Sequence, residues 1–204
     1  MDSPPIDPSP LILKLVLVGS YGVGKTSFFM RFHDQLFPNI YARPTIGIDF
    51  KLHKVVKEGR ECRYQVWDPS GGEKFRAVSP MYYRGARGLL IFVDLSIEIP
   101  IKDQLVHLMR DLEMFSSDNV CMILIGSKCD LPQKVSDEEC EQYAQQYNMK
   151  FFKTSAFEDI NVTGAMESIM ETVYQQEKDQ NIQSVQINPR RANPNPNQQA
   201  FICC

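Results

Sequence analysis

Several things are missing from this chain of 204 residues, and each absence narrows its role. No stretch approaches the roughly 18 consecutive apolar residues of a membrane-spanning helix. The first ten residues, MDSPPIDPSP, are acidic and proline-rich, unlike the basic-then-apolar pattern of a secretory signal. There is no basic excess. Lys and Arg number 22 against 25 Asp and Glu, and the formal net charge of −3 argues against a general nucleic-acid binder. No internal repeat is evident. The chain is therefore expected in the cytoplasm, where its six cysteines are mostly thiols. Cys62, Cys121, Cys129 and Cys140 lack C-x-x-C spacing and nearby histidine pairs, so they read as small core or near-core residues. His33, His53 and His107 are scattered and read as structural or surface residues. Asn161-Val162-Thr163 matches a glycosylation sequon, but in a cytosolic chain its role is to start a helix.

What is present is organised around Gly19-Ser20-Tyr21-Gly22-Val23-Gly24-Lys25-Thr26, a G-x-x-x-x-G-K-T phosphate-binding loop pattern. The preceding LILKLVLV (11–18) is nearly all apolar, as a strand buried on both faces is. After the loop, Phe28, Phe29 and Phe32 recur at helical spacing. Gly22 and Gly24 allow the backbone to curl its N–H groups toward phosphate oxygens. The helix beginning there adds free N–H groups and the positive end of its dipole. Lys25 supplies a charge for the outer phosphates, and Thr26, with Ser27 beside it, a hydroxyl for Mg²⁺.

The rest of the chain alternates strands and helices. Residues 1–10 carry four prolines and are expected to be disordered. A proline-containing loop over 35–45 precedes strands at 46–56 and 61–67, joined as a hairpin through Lys57-Glu58-Gly59-Arg60. An irregular stretch is expected from Asp68 to about Arg84. Strands follow at 88–95 and 120–126, with a helix between them that places Leu105, Leu108, Met109, Leu112 and Phe115 on one face. Ser136-Asp137-Glu138-Glu139 is a capping box opening a helix that turns Cys140, Tyr143, Ala144 and Tyr147 inward. A short strand (150–153) and a final helix from about Asn161 complete the pattern. This predicts an α/β fold: a single doubly wound domain over 11–176, with a six-stranded, mostly parallel sheet carrying one antiparallel strand.

In such a sheet, ligands bind beyond the carboxyl ends of the strands. The phosphate loop, Asp68, Ser127 to Asp130 and Thr154 to Ala156 all follow strands and are expected on one rim. Asp68 and Gly71 form D-x-x-G, the place for a carboxylate that holds Mg²⁺ through water and for an N–H facing a γ-phosphate. Asp130 can accept from guanine N1–H and N2–H₂, where adenine presents an acceptor. The Lys128 stem can cover the base, and the segment of Ser155 and Ala156 can offer N–H to the guanine carbonyl.

From residue 177 the chain turns rich in Asn, Gln and Pro and is expected to be a flexible tail, ending in Cys203-Cys204. Adjacent cysteines make a poor disulfide and read better as a lipid attachment point. Only Lys178, Arg190 and Arg191 are basic after residue 176, short of the about 4–8 that read anionic lipid.

With these motifs in order, the chain resembles the Ras-like small GTPases over about residues 11–175, and most closely the Rab branch. Ile46-Gly47-Ile48-Asp49-Phe50 is close to the IGVDF of that branch, and Tyr82-Tyr83-Arg84-Gly85-Ala86 matches its YYRGA. The resemblance implies a GTP/GDP switch with Mg²⁺. Thr45 would be the threonine that contacts Mg²⁺ and γ-phosphate, within two switches at about 37–47 and 68–84. It implies geranylgeranylation of Cys203 and Cys204, two chains giving stable anchoring on the cytosolic face of an endomembrane. Implied partners are an exchange factor, a GTPase-activating protein, a dissociation inhibitor or escort protein, and effectors; a monomer is expected.

The sequence departs from that family at working positions. Gly72 stands where the family has the glutamine that orients water, so no side chain is assigned as catalytic. Tyr21 replaces a small residue close to the γ-phosphate. Pro69 and Ser70 replace Thr-Ala and stiffen the start of the second switch. Ser127 replaces the asparagine of N-K-x-D, from which a looser base loop is expected; Lys153 and Phe157 depart from ETSAK. Slow hydrolysis is the first expectation. A membrane-tethered scaffold with weak or structural nucleotide is the second, motivated by Ser127.

Overall fold

A computed structural model of the chain describes residues 9–37, 48–69, 79–115 and 119–187. The elements follow in the order β1 (Leu11–Val18), α1 (Lys25–Asp34), β2 (Ile48–Lys57), β3 (Arg60–Pro69), α2 (Ser79–Tyr83), β4 (Gly88–Asp94), α3 (Ile101–Phe115), β5 (Cys121–Ser127), α4 (Asp137–Gln146), β6 (Lys150–Lys153) and α5 (Val162–Ile187). The six strands form one sheet in the order β2-β3-β1-β4-β5-β6. Only the β2–β3 pair is antiparallel; β1–β3, β1–β4, β4–β5 and β5–β6 are parallel. This is the predicted doubly wound sheet, with β1 at the point where the winding reverses.

The central strands are apolar on both faces because both faces are covered. On β1, Leu13, Leu15 and Leu17 join a core with Phe28 and Phe29 of α1 and Ala165, Met166, Ile169 and Val173 of α5. Val16 and Val18 face the other way, into a core with Leu105, Met109 and Leu112 of α3 and Cys140 and Ala144 of α4. Each fully buried aliphatic side chain is worth roughly 1.5–3 kcal/mol. Surface ion pairs such as Lys178–Glu58, at 2.7 Å and well exposed, are worth about 0–1 kcal/mol. The two apolar layers therefore hold the fold, and the ion pairs trim it.

The hairpin turn is the two-residue loop Glu58-Gly59, with φ of 49° and 79°. Positive φ at both positions matches the twist of the flanking strands. The expected irregular stretch before Arg84 contains the one-turn helix α2. At Ser136 the cap is half of the expected box. Its hydroxyl accepts from Glu139 N–H at 3.1 Å, but the Glu139 carboxylate accepts instead from Ile101 N–H, 2.8 Å away, and so caps α3.

Helix α5 runs on to Ile187, past residue 177 where the tail is expected to begin. Gln, Glu and Lys there are good helix formers. Contacts at the hairpin end add to this: Gln176 donates to Asn119 O at 2.8 Å, Glu177 pairs with Arg87 at 2.6 Å, and Lys178 with Glu58. The terminal cysteines and the first ten residues' prolines at 4, 5 and 8 lie outside the described residues. No described helix is long and apolar enough to cross a membrane.

His33 packs among other rings. Its ring contacts Phe29, Phe32 and His53 edge-on, and its Nε2 is buried without a partner among the described residues. Burial first, then the nearby Lys51 ammonium and His53, pushes its pKa down from 6.5 to about 4, against the pull of Asp34 and Asp49. Between those values the unfolded chain binds the extra proton, so stability drops as pH falls from about 6.5 towards about 4. His33→Phe, which keeps an aromatic ring, is expected to flatten that part of the profile in thermal denaturation across pH; an unchanged acid slope would contradict the assignment.

Candidate functional site

Everything the sequence placed at strand ends, so far as it is described, gathers on one rim of the sheet. The phosphate loop joins β1 to α1. Gly22 and Gly24 adopt φ of 75° and 102°, a conformation that side chains with a Cβ rarely take. Gly24 is the N-cap of α1, and no side chain among the described residues caps that end. Val23 between them is buried, whereas Ser20 and Tyr21 are exposed. Tyr21 is 62% exposed at the tip of the loop.

Lys25 folds back over the loop, its ammonium donating to Gly19 O at 2.9 Å and Ser20 O at 3.0 Å. Burial pulls its pKa from 10.5 down to about 8, partly offset by Asp68. Thr26 Oγ1 donates to Asp68 Oδ2 at 2.6 Å. Asp68 is fully buried, which pushes its carboxyl up to about 6 against the Thr26 hydrogen bond and the Lys25 charge. Its other oxygen, Oδ1, is buried with no partner among the described residues. An unpartnered carboxylate oxygen beside a threonine hydroxyl is the donor chemistry a hard divalent cation takes. Among the described residues, no group of three His, Cys, Asp or Glu could hold a metal. A cation here would therefore have to share its coordination with phosphate oxygens and water, as Mg²⁺ does. Thr45, Gly71 and Gly72 lie outside the described residues, as do Cys203 and Cys204.

On the base side, Ser127, where a looser loop is expected, has partners for its hydroxyl. Its side chain is buried and the hydroxyl lies 2.6 Å from Val23 O and 2.9 Å from Val93 O. The short side chain reaches because β5 brings it directly under the phosphate loop; a Cβ added to Gly24 would lie 3.7 Å from the Ser127 Cβ. Next along, Lys128 has a left-handed φ of 60° and pairs with Asp94 at 2.5 Å. Asp130 is exposed on the same loop.

Asp94, at the carboxyl end of β4, was not singled out from the sequence. Its carboxylate accepts from Lys128, from Ser96 N–H at 2.9 Å and from Ser96 Oγ at 2.6 Å. Burial alone would raise it, but these bonds hold it below the usual carboxylate range. The only available signal was its position, an aspartate at a strand end like Asp68. The loop after β6 is fixed to the same frame. Thr154 N–H donates to Gly126 O at 2.7 Å, and Cys129 N–H donates to Thr154 O at 3.1 Å. Ser155 N–H is committed to Ile160 O, so of the N–H groups offered to a base in this segment Ala156 keeps its own without a partner among the described residues.

Two comparisons agree with this geometry. Residues 14–175 match the family model described as the Ras family. The chain is 37% identical to Ras-related protein RABE1d of Arabidopsis thaliana, over 80% of this chain and 76% of that protein. It is 38% identical to Ras-related protein Rab-13 of Rattus norvegicus over 78% of each, and 40% identical to Ras-related protein Rab-8B of Dictyostelium discoideum over 76% of each. A phosphate loop, a buried aspartate against its threonine and a base loop hooked beneath it, over a span matched by these relatives, make one conclusion: the chain belongs to the Ras family, as a Rab-type small GTPase.

Proposed function

We propose that this protein is a GTP/GDP switch of membrane trafficking with slow intrinsic hydrolysis. The observation that carries the reading is the convergence of Lys25, Thr26 and Asp68 with Ser127, Lys128 and Asp130 on one rim. The phosphates would lie in the loop formed by residues 20–27, against Lys25. The guanine would meet Asp130, with the Lys128 stem over its face and Ala156 N–H near its 6-oxo group. Ser155 supports that loop through its hydroxyl, which accepts from Glu158 N–H at 3.0 Å.

Mg²⁺ would be held by Thr26 and Thr45, and by Asp68 through water; when bound it neutralises charge on the β- and γ-phosphates. In hydrolysis, water attacks the γ-phosphorus and the bond to the β–γ bridging oxygen breaks, leaving GDP and phosphate. Gly71 N–H would face the γ-phosphate. Gly72 has no side chain to orient the water, and Tyr21, exposed at the loop tip, would crowd an arginine brought in by an activating protein. Residues 37–47 and 68–84 would act as the switches that effectors, exchange factor and activating protein read.

Membrane attachment would come from geranylgeranyl groups on Cys203 and Cys204, since two chains anchor stably where one is marginal. Between cycles a dissociation inhibitor or escort protein would cover those lipids and return the protein to the cytoplasm. Domain limits of 11–176 with a tail to 204 remain the working division, with α5 continuing into the tail's first turns.

Single-turnover hydrolysis by the purified protein with GTP and Mg²⁺ is expected below the ~3 × 10⁻⁴ s⁻¹ at the low end of intrinsic Ras rates. Gly72→Gln should raise it; a wild-type rate already in the Ras range would overturn the slow-hydrolysis reading. The base loop gives a second expectation. Ser127→Ala removes a buried hydroxyl whose one proton can serve the Val23 or the Val93 carbonyl, a loss of about 1–3 kcal/mol, and should speed GDP release and lower the melting temperature together. Unchanged release would mean that the Ser127 hydroxyl does not hold the nucleotide site.

A further inference from the structure

α1 begins at the phosphate loop and ends beside the loop that follows β6. Arg31, in the last turns of α1, bridges the two. Its guanidinium donates to three main-chain carbonyls: Nε to Ala156 O at 2.7 Å, Nη2 to Phe157 O at 3.2 Å and Nη1 to Gln35 O at 3.2 Å. A planar fork of five donors can span three acceptors, which a lysine ammonium on a flexible stem does not. Beside this bridge Phe37 and Phe157 meet edge-to-face, with ring centroids 5.2 Å apart and planes at 82°. Phe157 is 59% exposed, and the contact joins the end of the α1 segment to the β6 loop.

The loop itself is held on its other side. Ser155 C=O accepts from Ile160 N–H at 2.8 Å. That carbonyl shares its peptide plane with the Ala156 N–H. Arg31 grips the next carbonyl along, Ala156 O. The Ile160 bond thereby fixes the peptide unit that carries the Ala156 N–H, and Arg31 fixes the next unit across the Ala156 Cα, while that N–H has no partner among the described residues.

We infer that Arg31 is a positioning residue for guanine: with the Phe37–Phe157 pair alongside, it holds the Ala156 N–H where it donates to the 6-oxo group of the base. This rests on the guanine-nucleotide reading above. Arg31 touches main chain and not the base, so its effect passes through Ala156. α1 then serves both halves of the site, carrying the phosphate loop at one end and the base loop at the other. The departure of Phe157 from the family's usual lysine belongs to the same device.

The test is equilibrium competition on the full chain with two probes, GDP and the 5′-diphosphate of 2-aminopurine riboside, which lacks the 6-oxo group. Arg31→Ala is expected to weaken GDP on the order of tenfold, from the loss of hydrogen bonds made by a charged donor. The same change should leave the analogue within about twofold, because the contact it would lose is absent. Arg31→Lys, which keeps the charge and most of the stem, should lose GDP affinity in the same base-dependent way. Equal losses for both probes would show that Arg31 merely stiffens the loop, and no loss for GDP would show that it does nothing for the base; either overturns the inference. If the wild-type protein binds neither probe, the guanine reading itself fails and this inference with it. A wild type that binds GDP while the variants behave alike on both probes removes only the role of Arg31.

Discussion

The hydroxyl of Ser127 lies at the centre of the site, within hydrogen-bond reach of a carbonyl of the phosphate loop and a carbonyl of β4. One buried side chain thus ties three segments: the end of β5, the loop that curls around phosphate and the strand that carries Asp94. The phosphate loop has two positive-φ glycines and, among the described residues, no side-chain cap, so little in its own backbone preference holds it in shape. The external anchor matters more here than a hydrogen bond on a regular element would. With Val23 O fixed, Lys25 can bond to Gly19 O and Ser20 O, and Thr26 can meet Asp68.

The charges at the rim follow from the same burial. Lys25 is driven down to about 8 and Asp68 up to about 6, each because a charge is being kept out of water. Both would regain favourable surroundings from a ligand that brings opposite charge to each of them, phosphate to the ammonium and a cation to the carboxylate. Asp94 is the contrast. Three donor contacts from Lys128 and Ser96 outweigh its burial, and it stays ionised as a structural counter-ion. Two aspartates at equivalent strand ends are thus set to different tasks by their neighbours.

How much of this was legible depended on whether the signal was local. The double burial of β1 and β4 and the hairpin at Glu58-Gly59 are written in runs and turns, and the sequence reading placed them within a residue or two. So was the gathering of strand-end motifs on one rim, because parallel winding dictates it. What the sequence did not reveal involved partners distant along the chain. Ser127 was read as too short because its distance from Val23 is set by the sheet and not by the motif. Glu139 was assigned to its own helix cap when Ile101 lies closer to it in space. Arg31 was one basic residue on a helix until the fold brought Ala156 and Phe157 against it. The extension of α5 past residue 176 depended on Arg87, Asn119 and Glu58 lying under it.

The central claim is that this rim holds a guanine nucleotide that the protein turns over slowly. The most direct measurement is the nucleotide carried by freshly purified protein, released by acid and identified by chromatography. Guanine nucleotide equimolar with protein, and chiefly as GTP, is expected. Protein free of guanine nucleotide would contradict the claim outright, and a full complement of GDP would contradict slow turnover, and with it the roles given to Tyr21 and Gly72.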